Sequence, residues 1–200
     1  MAAPGLNKTQ LFLLRGSLRC MIVFGGLWFM VPLLSWSNGE GVDWSGQADA
    51  SSTAPGLHTA NGANAYWEGA VHVTIGDPST SLRLLTWVPA AIVAVAVIVT
   101  GFQLLRIMYE TQAGRPFFDS SARRLRLVSL VIGVAAVASP LAWSAANRRV
   151  IEAATTRGQV DSHVHLATMA TWLVVALVVR VIAEAFRIGT RLQTDVEGLV

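Results

Sequence analysis

Charged side chains are scarce in this sequence of 200 residues, since Asp, Glu, Lys and Arg together make up 14% of it. A soluble domain of this length carries roughly a quarter of such residues. The deficit lies in four long stretches with almost no ionisable side chain, which polar segments separate. This pattern excludes an ordinary water-soluble domain and predicts a single membrane domain over residues 1–200.

Cysteine and clustered catalytic residues are lacking as well. Cys20 is the single cysteine, so no disulfide can form within the chain. It lies at the edge of an apolar stretch, where a small buried or lipid-facing side chain is expected; lipidation is the alternative. The chain has no glycine loop for phosphate, no Cys pair, and no His pair for haem within an apolar stretch. We therefore predict no enzyme, no cofactor and no metal.

Four apolar stretches are long enough to cross a membrane. About 20 helical residues span a hydrocarbon core of about 30 Å. The backbone of a span in lipid must satisfy its own hydrogen bonds, so each span is predicted to be helical. The predicted spans cover about 18–36, 84–105, 127–146 and 166–186. The first is too long and too aromatic for a cleaved signal peptide. The predicted fold class is an all-α membrane protein, a bundle of four transmembrane helices.

The distribution of basic residues predicts the orientation. Eleven of the fifteen Lys and Arg residues precede the first span or lie at its start, lie between the second and third, or lie at the end of the fourth and after it. The other four lie in the two remaining loops. Basic flanks belong in the cytoplasm, which places both termini there and the chain in the inner or plasma membrane as a multi-pass protein. The formal charge of +3 is thereby explained without direct nucleic-acid binding.

The predicted extracytoplasmic side is marked by aromatic residues, prolines and a long loop, 37–83. Four tryptophans at or near this side form a one-sided aromatic belt, and three prolines in or near the outer halves of spans are expected to bend them. These residues are Trp36, Trp44, Trp87 and Trp143, and Pro32, Pro89 and Pro140. The first half of the loop predicts a flexible connection. The alternation in 71–75 predicts a strand, with 65–68 as its partner in a short β-hairpin.

All four histidines also fall on the predicted outer side, at positions 58, 72, 163 and 165. They invite a metal or pH-sensing hypothesis. His163 and His165 are two residues apart, which puts them on opposite sides of a helix. We therefore expect solvated histidines rather than a metal site.

The predicted cytoplasmic side consists of a connector, 110–126, and a tail, 187–200. Arg180, Glu184, Arg187 and Arg191 lie on one face of the fourth helix. Arg180 lies about six residues inside the end of its span, where it either extends to the headgroups or pairs with Glu184. The basic residues at the start of the third helix are expected to contact anionic lipid.

Three short motifs on this side resemble a bacterial and archaeal membrane family known as domain of unknown function 2975. One is Gly114-x-Pro116-Phe117, followed by Asp119 and Arg124-Leu125-Arg126; another is Ala185-Phe186-Arg187-x-Gly189-x-x-Leu192; the third is Asp195-x-Glu197-Gly198-Leu199-Val200. The resemblance implies a four-span membrane protein of unknown biochemistry. It also implies, as a partner, a small cytoplasmic helix-turn-helix regulator, because members are often encoded beside one.

Two functions remain open from the sequence. The first is a regulatory or interaction protein whose cytoplasmic surface docks a soluble protein. Its candidate residues are Gly114, Pro116, Phe117, Arg180, Glu184, Phe186, Arg187, Gly189, Asp195 and Glu197. The alternative is a subunit of a small oligomeric transporter or channel, since several copies of four helices could enclose a pore. That alternative needs a homo-oligomer, and the spans lack the central acidic, His or Lys residues of an ion path.

Overall fold

Four long helices dominate the computed structural model, which describes residues 8–38, 41–46, 64–67, 71–112, 119–154 and 166–197. The helices are α1 (Lys8–Ser37), α2 (Thr80–Gln112), α3 (Asp119–Ala154) and α4 (Leu166–Glu197). Each predicted span lies within one of them. All four are long and apolar enough to cross a membrane, so the prediction of a four-helix membrane protein is confirmed at this level.

The helices expose large apolar side chains along their length. Phe12 is 76% exposed, Leu130 67% and Leu166 70%. Water would penalise such surfaces by roughly 25 cal/mol for each Å². Lipid tails do not, so these side chains are suited to contact the hydrocarbon of a bilayer. The chain is a multi-pass membrane protein.

Three short strands lie between α1 and α2: β1 (Val42–Gly46), β2 (Asn64–Trp67) and β3 (Val71–Ile75). β3 is the central strand, and both neighbours pair with it in an antiparallel direction. Trp44 is opposite Val73, and Tyr66 is opposite His72. The sequence predicted a flexible connection where β1 forms. The alternation of Val42 and Trp44 with polar neighbours is the strand signal, which the surrounding Gly and Ser residues obscured.

Two compact units divide the chain, and each takes segments from all four helices. The tail unit is Met1–Leu27, Ala94–Ala136 and Ala170–Val200. The sheet unit is Trp28–Val93 and Val137–Met169. All three strands belong to the sheet unit, and so do the three prolines inside helices, Pro32, Pro89 and Pro140.

Small residues bring the helices of the tail unit close together. A Cβ on Gly101 of α2 would lie 2.6 Å from Cγ1 of Ile22 on α1. A Cβ on Gly25 would lie 3.0 Å from Cγ1 of Ile98. Between α3 and α4, the hydroxyl of Ser129 donates to the carbonyl of Ala176 at 2.8 Å. Glycine, serine and alanine allow such approaches because they carry little side-chain volume, as is usual between membrane helices.

Candidate functional site

A carboxylate on α4 joins two helices in the tail unit. Glu184 accepts a hydrogen bond from Arg126 of α3, with Nη2 and Oε2 3.2 Å apart. Its other oxygen, Oε1, accepts from Arg187, one turn further along α4. Arg126 belongs to the first family motif and Arg187 to the second. Glu184 therefore connects two motifs that are about sixty residues apart in the sequence.

Arg180 does not take part in this cluster. It is exposed, and Glu184 pairs with Arg126 and Arg187 instead. Of the two sequence interpretations of Arg180, the pair with Glu184 is not found among the described contacts, and the extension toward the headgroups stays a prediction.

A second carboxylate, Glu110 near the end of α2, was missed by the sequence analysis. Its Oε2 accepts hydrogen bonds from the hydroxyls of Ser120, at 3.0 Å, and Ser121, at 3.2 Å. Its Oε1 lies 2.7 Å from Nη2 of Arg124. These partners occupy the first turns of α3, where the positive end of the helix dipole also favours a carboxylate. Glu110 thus ties together the two helix ends that flank residues 113–118.

The pattern that could have revealed Glu110 is visible in the sequence. A single carboxylate ends a long apolar helix, and a Ser-Ser-x-Arg-Arg start follows ten residues later. An ionisable group at the edge of a span requires a partner, and the nearest basic run supplies one.

Tyr109 of α2 contacts two arginines of α1 within the tail unit. The guanidinium carbon of Arg15 lies 5.1 Å from the centroid of the Tyr109 ring, within the range of a cation–π interaction. Nη2 of Arg19 donates to the Tyr109 hydroxyl at 3.3 Å. Two of the basic residues that predicted the orientation are therefore also structural contacts between α1 and α2.

The remaining predicted site residues are placed as follows. Phe186 and Gly189 are half-buried on α4. Asp195 and Glu197 lie on the last turns of α4, where the described structure is limited to the backbone. Gly114, Pro116 and Phe117 lie outside the described residues, so the docking surface that includes them stays a prediction.

Within the described ranges, no group of three His, Cys, Asp or Glu side chains could hold an ion. His72 lies on β3, and His58, His163 and His165 are outside those ranges.

Comparison with known proteins gives a family but no characterised relative. The family model described as "Protein of unknown function (DUF2975)" matches residues 54–199, which is more than half of the chain. Neither the curated proteins nor the solved structures include a significant match. The matched range contains α2, α3 and α4 with both carboxylate clusters. This multi-pass membrane protein therefore belongs to the DUF2975 family.

Proposed function

We propose that the protein works in the cell membrane, with both termini in the cytoplasm, as a non-enzymatic regulator that docks a soluble protein on its tail unit. The three strands, including the β2–β3 hairpin, then form a small cap outside the cell. Eleven of the fifteen Lys and Arg residues lie on the predicted side of the connector and the tail, which supports this orientation. Catalysis has no part in the proposal.

The observation that carries the proposal is the length of α4. The predicted fourth span ends at about residue 186, whereas the helix continues to Glu197. Eleven further residues at 1.5 Å each extend the helix about 16 Å past the predicted span. A helical backbone that continues beyond the bilayer offers a defined surface to a partner in water.

The ion pairs of Glu184 hold the base of this extension. Arg126 attaches Glu184 to α3, and Arg187 lies on the turn that leads into the extension. A helix fixed at its base loses less conformational entropy on docking than a free tail would.

Charge indicates the kind of partner. The extension carries Asp195 and Glu197, so a basic protein surface complements it. The helix-turn-helix regulator implied by the family resemblance has such a surface, because it binds DNA. Residues 114–117 lie between two helix ends that Glu110 ties together, and we propose that they form the second half of the docking surface.

Photocrosslinking in cells tests the docking proposal. A photoreactive residue at Thr194 is expected to trap one soluble protein, the helix-turn-helix regulator, whereas the same residue at Ser81 is not. Asp195→Lys with Glu197→Lys should abolish the adduct, and the matched charge reversal Glu152→Lys on α3 should leave it unchanged. Adducts between two copies of the chain would favour the oligomeric transporter or channel instead. Crosslinks to lipid alone would contradict both.

The orientation has its own test. Cys20→Ser gives a chain without cysteine, into which Thr80→Cys and Gln193→Cys are introduced one at a time. A membrane-impermeant maleimide should label position 80 in intact cells and position 193 only after permeabilisation. The reverse labelling would overturn the orientation.

A further inference from the structure

A cavity in the sheet unit has the composition of a small ligand site. It has a volume of about 290 Å³ and is partly open. This is close to the lower limit of about 300 Å³ for small-molecule pockets, so a headgroup-sized ligand suits it better than a large cofactor. Its lining includes three indole rings, a proline and two opposite charges: Pro32, Trp36, Asp43, Trp44, Arg83 and Trp87.

Contacts outside the cavity hold two of its three indole rings, those of Trp44 and Trp87. Nε1 of Trp44 donates to Oδ1 of Asn147 at 2.8 Å, and its ring stacks on Trp143 with centroids 5.6 Å apart. Nε1 of Trp87 donates to the carbonyl of Phe29 at 3.2 Å. These two walls are therefore held in place by contacts within the protein itself.

The two charges of the cavity do not neutralise each other. No ion pair joins Asp43 to Arg83 within the part of the chain that the structure describes. Arg83 donates from Nη1 to the carbonyl of Trp36 over 3.4 Å, near the end of α1. A guanidinium has five N–H donors, so this long bond leaves capacity for a phosphate. Asp43 is exposed and can accept from an ammonium group.

The position of the cavity along the helices matches the headgroup layer. The span in α1 ends at Ser37, and that in α2 begins at Thr80. Pro32 and Trp36 are in the last turns of the first span, and Arg83 and Trp87 are in the first turns of the second. Tryptophan and arginine at such boundaries contact the polar part of lipids.

We propose that this cavity binds a zwitterionic group that carries both a phosphate and an ammonium, such as the phosphoethanolamine headgroup of a phospholipid. Arg83 binds the phosphate. Asp43 and the indole faces bind the ammonium, the latter by cation–π attraction. Binding at this site requires neither the docking surface proposed on the tail unit nor a particular orientation of the chain.

Native mass spectrometry of the full chain in detergent tests the proposal. Phosphatidylethanolamine and phosphatidylglycerol are added in equal amounts, and the lipid adducts that survive activation are compared. Both lipids carry the phosphate, but only the first carries the ammonium. The expected result is about a fivefold preference for phosphatidylethanolamine, which corresponds to a cation–π contact together with the carboxylate. Equal retention by the natural chain would overturn the proposal.

Variants separate the two halves of the site. Asp43→Asn should reduce the preference while both lipids still bind, because the indole faces still attract the ammonium. Arg83→Gln should reduce the retention of both, and Arg148→Gln, which changes another arginine of the sheet unit outside the cavity, should not. If Arg83→Gln and Arg148→Gln behave alike, Arg83 is not the phosphate ligand and the proposal fails. Circular dichroism checks that each variant keeps its helices, and Asp43→Asn, at an exposed position, tests the site even if Arg83→Gln does not fold.

Free phosphoethanolamine distinguishes the source of the ligand. If millimolar phosphoethanolamine displaces the lipid, the cavity recognises the headgroup alone and also accepts a soluble ligand. If the lipid binds and free phosphoethanolamine does not displace it, the membrane is the source. Binding of neither contradicts the proposal.

Discussion

The close approach of α1 and α2 at Gly101 gives a quantitative prediction. In Gly101→Ala the new Cβ would lie 2.6 Å from Cγ1 of Ile22 and 3.3 Å from its Cδ1. Real Cβ atoms do not approach a carbon so closely, so either Ile22 must leave its rotamer or the helices must separate. Overpacking of this kind destabilises by about 1–3 kcal/mol.

A matched glycine on α1 isolates the steric effect. Gly26 is also inside a helix, and a Cβ there would meet no atom within 4 Å. Gly26→Ala should therefore stabilise the protein by up to about 1 kcal/mol, through helix propensity alone. The difference between the two variants is the free energy of the clash.

The partner of the clash can be removed as well. Ile22→Ala deletes both atoms that the new Cβ would meet, so Gly101→Ala should be tolerated better in its presence. The double variant is expected to be more stable than the sum of the single changes by about 1–3 kcal/mol.

Reversible unfolding of the full chain in detergent by SDS, followed by circular dichroism, measures these free energies. If Gly101→Ala is as stable as Gly26→Ala, or if Ile22→Ala shows no coupling with Gly101→Ala, the proposed packing of α1 on α2 is wrong.

Two further predictions use the same unfolding assay. Glu110→Gln should destabilise by about 1–3 kcal/mol, because the guanidinium of Arg124 loses its charged partner; recovery in the double variant with Arg124→Gln is the check, and an unchanged midpoint for the single variant would contradict it. Trp44→Phe should lose a similar free energy, since it removes the donor to Oδ1 of the fully buried Asn147; adding Asn147→Leu should restore part of it, whereas a further loss would argue against the bond.

The candidate site was only partly predictable from the sequence. Glu184 and Arg187 were identified as neighbours because they lie three residues apart on one helix, and helical spacing fixes that contact. The other partner of Glu184 is Arg126 rather than Arg180. That choice depends on how α3 packs against α4, and no local spacing encodes it. Glu110 was missed for the same reason, since its partners belong to the next helix.

The aromatic residues of the sheet unit show the same limit of prediction from the sequence. Sequence position predicted that four tryptophans lie at one side of the membrane. Tertiary structure alone brings Trp44 onto Asn147, over one hundred residues later, and makes Trp36, Trp44 and Trp87 walls of one cavity. Each of these contacts joins separate elements.

The sequence by itself determined four membrane helices and a family. Both follow from properties read along the chain: apolar length sets the span, because lipid cannot hydrogen-bond the backbone, and ordered motifs identify relatives. Tertiary structure decided the partners of the two carboxylates, the strand β1 with its register against β3, and the cavity. These depend on contacts between segments that are distant in sequence, and a bilayer specifies each helix without specifying which faces of the helices meet.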